Sequence, residues 1–204
     1  MAYEDDEYGT LPVTSEEWRP YLAEYSAWYL SEPVNREHAW RHLSEAQRQA
    51  EWMGREPATA EQIADAEQRL GIALPPSLRG FLLASNGWGP VSEWTDGLCS
   101  AAEIEWFRDD NEAFIDGYLG GAEDVGEEVD EETDLFLNAL SVAYGEDTIL
   151  LDTLHKSPDG EYEAYLLAVK YGELHETCSS FSAAIAKGRA QIEDLRELRA
   201  RDGK

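Results

Sequence analysis

The chain has 204 residues, 43% of them hydrophobic, which suits one domain with an extension or one large domain and is too apolar for a disordered protein. Against 16 Lys and Arg stand 43 Asp and Glu, a formal charge of −27. Such a field repels nucleic acid and anionic membranes and speeds encounter with basic partners, although acidity acquired for solubility explains the composition equally well.

The N-terminal MAYEDDEYGT is acidic and has no apolar core, so it does not read as a secretory signal, and no run approaches the ~18 apolar residues of a membrane span. A cytoplasmic protein is expected. Cys99 and Cys178 lie far apart with no CxxC, which predicts two reduced, buried thiols and no zinc or redox motif. Residues 1–13 read as a frayed tail.

Thr14 followed by Glu17 is a capping pair, and Trp18, Tyr21, Leu22, Tyr25, Trp28 and Tyr29 follow at helical spacing. Pro20 conflicts with that start, since a proline past the first turn removes a backbone bond, and so moves the expected start later. Pro33 ends the helix. A second helix is expected from about Asn35 to Met53, with Trp40, Leu43, Ala50 and Met53 on one side and Gly54 as the stop. An exposed aromatic face of this size is unusual in a soluble monomer, so it is expected to pack on the rest. Residues 1–56 then form a helical extension to a main domain at 57–204.

Within PATAEQIADAEQRLGIALPPSLRGFLLASNGW, Thr59 and Gln62 cap a helix whose face is Ile63, Ala66 and Leu70, with Gly71 as its left-handed stop. The prolines of Leu74-Pro75-Pro76-Ser77 impose an extended segment and then suit a helix start. Leu78, Phe81 and Leu82 form the face of the next helix, and Asn86-Gly87 stops it. Two short helices packed across a linker are predicted.

Glu67, Leu70-Gly71, Leu74-Pro75-Pro76-Ser77, Arg79, Phe81-Leu82 and Ser85-Asn86-Gly87-Trp88 also resemble the signature of the SUKH superfamily. The likeness is specific over about thirty residues and continues more weakly to about Phe181. It implies an immunity-type or regulatory role. Most bacterial members are inferred to be immunity proteins that neutralise polymorphic toxins, often nucleases, whereas yeast relatives regulate cell-wall assembly.

After Gly89-Pro90 the pattern turns to short strands, with Leu98-Cys99-Ser100 and Ile104 to Phe107 as candidates. Trp88, Trp94 and Trp106 are interleaved there with carboxylates. That is the composition of a surface that anchors with rings and selects with charge, and also of rings filling space between helices and sheet. At least one ring is expected to stay partly exposed.

Residues 109–155 hold 15 acids and no Lys or Arg, and eight of the acids fall in EDVGEEVDEETD at 123–134, after Gly120-Gly121. Like charges without partners cannot be packed, so an acidic, solvated insertion is expected near 120–134. It is either an arm that imitates a phosphate backbone or an idle loop. It lacks the order and the turn glycine of a calcium-binding EF-hand loop. From Leu135 to Tyr144 a helix passing into a strand competes with strand throughout. Thr148–Leu154 and Tyr162–Val169 flank Ser157-Pro158-Asp159-Gly160 as a hairpin, with a further strand at Glu173–Thr177. Phe181, Ile185, Ile192, Leu195 and Leu198 mark a last helix to about Arg199, in the one basic segment of the chain.

The predicted fold class is therefore α+β, with helices first, an antiparallel sheet of about four to six strands and a C-terminal helix. No GxSxG, HExxH, Walker or GxGxxG motif occurs. Asp152, His155 and Ser157 are close in sequence only, and the pair His175 and Cys178 is incidental. No enzyme, cofactor, metal site, nucleic acid or membrane partner is expected. The expected partner is a cognate protein toxin, a nuclease or other basic protein. Its predicted site is Trp88, Glu93, Trp94, Asp96, Trp106, Asp109 and Asp110, with the arm acids Glu123, Asp124, Glu127, Glu128 and Asp130. A scaffold or regulator that binds several cellular proteins is the alternative. An acidic hydrolase would instead need a deep pocket with raised carboxyl pKa values.

Overall fold

The computed structural model describes residues 8–117 and 131–202. Helix α1 spans Ser15–Ser31 and begins where the capping box of Thr14 and Glu17 puts it. Pro20 lies inside it and does not delay its start. The box and the buried face of Trp18, Leu22, Tyr25 and Tyr29 outweigh the lost backbone bond.

The single helix expected from Asn35 to Met53 is instead two, α2 at Pro33–His42 and α3 at Glu45–Ala50. Ser44 opens α3 with its own capping box to Gln47, and Glu51 closes it in the left-handed region at φ 49°. Along this segment Leu43 and Met53 are buried, whereas Trp40 is 42% exposed.

Helices α4, Ala60–Leu70, and α5, Pro76–Ala84, form the predicted pair, with Thr59 capping the first and Gly71 in the left-handed region at φ 73°. Glu67 Oε1 accepts from the Leu74 N–H at 3.1 Å and from Arg79 at 3.2 Å, which ties the linker to both helices. Gly80 has no room for a side chain, since a Cβ there would lie 1.9 Å from the Val13 carbonyl oxygen. The chain entering α1 crosses α5 at that point.

Next come β1 (Thr95–Leu98), β2 (Glu105–Trp106), α6 (Phe107–Asp110), α7 (Glu131–Asn138), β3 (Ala139–Ser141) and β4 (Ala143–Gly145). Then β5 (Asp147–Lys156), β6 (Tyr162–Ala168) and β7 (Glu173–Cys178) lead into α8 (Phe181–Asp202). The passage through 135–144 is helix to strand. Residues 131–134, expected in the solvated loop, are helical within α7.

Every strand pairing is antiparallel: β1 with β4 in one sheet, and β2-β3-β5-β6-β7 in the other. The class is α+β. Alternation along β5 divides the core. Ile149 and Leu151 face a large cluster built with α1, α5 and α8, and Leu150 faces a smaller one with Phe107, Phe136 and Leu167. In the large cluster Trp18, Phe81 and Phe181 meet with ring centroids 5.3–5.9 Å apart, so the first, fifth and last helices share one aromatic centre. The Trp18 indole also donates to the Ser77 carbonyl at 2.9 Å.

The basic end of the chain is spent internally. Arg189 pairs with Glu24 at 2.7 Å, and the Arg196 guanidinium lies 4.0 Å from the Trp28 ring centroid. No helix among the described residues is long and apolar enough to cross a membrane.

Candidate functional site

The segment 89–94 reaches β1 through a side-chain turn. Ser92 Oγ accepts from the N–H groups of Trp94 at 3.1 Å and Thr95 at 2.9 Å, and the Trp94 carbonyl accepts from the Asp147 N–H at 3.0 Å. Across from it, Gly145 leaves no space, since a Cβ would come within 2.4 Å of that same carbonyl oxygen. The Trp94 backbone is thus pinned while its side chain is free: the residue is 53% exposed. Tyr171, in the β6–β7 turn, is 71% exposed.

These two rings border a cleft of about 670 Å³ between the ends of β6 and β7 and helix α8. Leu166, Ala168 and Ile192 give it an apolar floor, and Glu93, Glu146, Asp147, Glu173 and Asp194 line it. Among the described residues no Lys or Arg does. Burial pushes the Asp147 carboxyl above the usual carboxylate range; Glu146 adds to the rise and His175 opposes it. Glu93 is paired with Arg199 of α8.

A second cleft, of about 590 Å³, lies on the other side of the Gly145–Asp147 corner and is lined by Arg55, Cys99, Glu103, Glu105, Asp110 and Tyr144 among others. Adjacent residues of a strand point to opposite faces, so Asp147 lines the first cleft and Thr148 the second. Burial and the neighbouring Asp110 raise the Glu105 carboxyl. Burial, with Glu103 and Glu105 nearby, pushes the Cys99 thiol up to about 12, so it is no thiolate nucleophile at neutral pH. Asp147 and Glu105, the raised carboxyls described in these clefts, stand in different ones and do not make one acid–base pair. Ser157 Oγ donates to Asp159 at 2.6 Å, while His155 Nδ1 meets Asp152 at 2.5 Å, which is not the geometry of a triad.

The expected partner surface is therefore divided. Glu93 and Trp94 meet in the first cleft, and Asp110 lines the second. Asp109 is exposed nearby, and Trp106 is half-buried under the Arg108 guanidinium, 4.8 Å from its ring centroid. Trp88 is a correction: it is 2% exposed, packed against Trp52 at 5.0 Å and Tyr25 at 6.0 Å, and its backbone bonds both ways to Leu98. Its ring is part of the core and cannot anchor a partner. Glu123, Asp124, Glu127, Glu128 and Asp130 lie outside the described residues.

Asp96 faces neither cleft's floor. It meets two histidines of α2, with His38 Nε2 and His42 Nε2 each 3.5 Å from its Oδ1. Sequence reasoning expected no metal site and missed this trio. Two histidines four apart on a helix were the available signal, but the carboxylate arrives from a strand more than fifty residues later. Asp152, His155 and Glu163 form a second such group, whose members are already engaged: Asp152 with His155 and the Leu154 N–H, Glu163 with the Tyr165 hydroxyl. The histidines and cleft residues the signature did not flag, Tyr171, His175 and Asp194 among them, lie far from it in sequence.

Residues 57–187 match the sequence profile of the SMI1 / KNR4 family (SUKH-1). No curated protein matches the chain significantly. The matched segment holds α4, α5, both sheets and the start of α8, and leaves α1–α3 outside it.

Proposed function

The chain belongs to the SMI1 / KNR4 family (SUKH-1), and from that premise we propose that it is an immunity-type protein that neutralises a basic toxin by direct occlusion. The family supports protein binding of an immunity or regulatory kind. The observation that carries the finer reading is the first cleft, where two exposed rings stand over five carboxylates with no Lys or Arg, and one histidine, His175, among its described lining. Rings of this kind give contact area at small entropic cost, and carboxylates around them select a cationic face.

In this proposal Trp94 and Tyr171 are the anchors. Glu146, Asp147, Glu173 and Asp194 supply the field, and Glu93 is partly satisfied by Arg199. Asp109 and Asp110 extend the anionic surface beyond the Gly145–Asp147 corner, and the arm acids, outside the described residues, add to the negative charge of the chain. A scaffold that binds several ordinary cellular proteins is the second reading, favoured by the same exposed rings if the carboxylates serve only solubility.

Co-expression with the product of the neighbouring reading frame is the test. Toxicity of that product alone and rescue of growth by this chain are expected, with rescue lost in Trp94→Ala. A non-toxic neighbour, or growth that is not rescued, would overturn the immunity reading. Stable capture of several cellular proteins by the chain in cells lacking the toxin would then favour the scaffold.

A further inference from the structure

We propose that His38, His42 and Asp96 form a binding site for one divalent transition-metal ion of the zinc class. His38 and His42 stand one turn apart on α2, with their rings edge to face at 5.2 Å between centroids. One ligand atom of each of the three residues lies within 4.8 Å of the other two. A direct imidazole–carboxylate hydrogen bond would bring donor and acceptor to about 2.7–3.2 Å. Both nitrogens instead stop at 3.5 Å from the same oxygen. Ligand atoms around a tetrahedral zinc ion, with bonds of about 2.0–2.1 Å, sit roughly 3.3–3.4 Å apart, so both nitrogen–oxygen spacings are close to those of ligands sharing an ion.

The surroundings hold the ligands in that pose. The Tyr29 hydroxyl meets His38 Nδ1 at 3.1 Å, which orients the ring and leaves Nε2 for the shared space. Asp96 is carried by β1, paired with β4. The side chains are 23%, 25% and 36% exposed, so an ion can enter without unfolding. A hollow of about 240 Å³ lined by Tyr29, His38, Arg41 and Trp94 opens beside them, and the Arg41 charge there is matched by Glu37 at 3.0 Å. Two imidazoles and one carboxylate suit zinc, cobalt, nickel or copper rather than calcium or magnesium, which take oxygen donors. A fourth position stays open to water or a partner's side chain.

An ion held here fastens α2, outside the family segment, to β1 inside it. Binding to the folded state alone stabilises it by RT ln(1 + L/Kd), where L is the free metal concentration, so the Tm rises with that concentration.

The experiment uses the full chain with any affinity tag removed and bound metal stripped by chelator. Calorimetric titration with Zn²⁺ is expected to give one equivalent, with a raised Tm, and Co²⁺ is expected to show the absorption of a tetrahedral site. Mg²⁺ should give neither. Tyr29→Phe should weaken zinc binding by about 10–100-fold, and His42→Ala and Asp96→Asn by more. His155→Ala should leave it unchanged. His42→Gln, which keeps bulk and polarity, covers the case in which the alanine variant misfolds, with folding checked by circular dichroism. Absence of saturable binding, wild-type affinity in folded His42 and Asp96 variants, or loss of binding in His155→Ala would overturn the proposal.

Discussion

The helical pair α4–α5 and the rim around Trp94 use the same residue types, carboxylates beside aromatic rings, in opposite ways. At the pair two acids have structural tasks, while Glu61 and Asp65 of α4 face solvent. Glu67 holds the linker, and Glu161, from the hairpin, accepts from the Ser77 N–H at 2.7 Å and its hydroxyl at 2.6 Å, which closes the start of α5. At the rim Glu146, Glu173 and Asp194 are exposed around a cleft, and the indole above them is held only through its backbone. Trp88 and Trp94, six residues apart, mark the border between the two regimes. The difference teaches that a ring's role follows from which backbone groups are tied down around it, not from its charged neighbours.

The largest effect expected from breaking that contrast is on Trp88. Trp88→Ala empties a packed site and should cost about 3–5 kcal/mol in urea denaturation. Trp94→Ala should stay within about 0.5 kcal/mol of the parent stability, yet weaken the proposed partner by about 2 kcal/mol or more. Equal destabilisation by the two would erase the distinction between them.

Next is the crossing of α5 by the entering chain. Gly80→Ala forces the Val13 carbonyl away and should destabilise by about 1–3 kcal/mol in a thermal melt, with faster proteolysis near α1.

Titration separates Glu103 from Asp147 by sign. Burial pushes the Glu103 carboxyl upward, but hydrogen bonds from Ser100 and the Arg55 pair, at 3.0 Å, outweigh it and hold the group below its ordinary range. Its contribution is thus present above the unfolded value of about 4.3 and is lost as pH falls through the lower folded value. Glu103→Gln should flatten the acid limb of a stability–pH curve, by about 0.5 kcal/mol or less because the pair is half exposed. Asp147 has the opposite sign: with its folded value raised, it favours folding at low pH, and that benefit fades as pH rises through the folded value. Asp147→Asn should therefore not lower stability at neutral pH.

The smallest effect concerns the rim acids. Neutralising Glu146 or Glu173 should leave folding unchanged and slow association with the partner, and added salt should slow the parent in the same way. Association equally fast at low and high salt would remove the electrostatic part of the proposal.

Much of the fold was legible because its signals are local. The Thr14 and Thr59 boxes, the Gly71 stop, the prolines before α5 and the Asp159-Gly160 turn act within a few residues, and the structure uses each of them. The Ser44–Gln47 box was equally local, and overlooking it merged α2 with α3. The first cleft was legible only at Glu93 and Trp94, since Asp147, Tyr171 and Asp194 reach it from a strand start, a turn and the last helix.

The sequence by itself determined where helices start and stop, which faces are apolar, the antiparallel hairpin and the family, because each rests on spacing along the chain. The tertiary structure alone decided that Trp88 is sealed while Trp94 stands out, that the basic last helix pairs inward, and that Asp96 meets His38 and His42. Those outcomes depend on which distant backbone segments share a boundary, and no periodicity within one segment encodes what will pack against it.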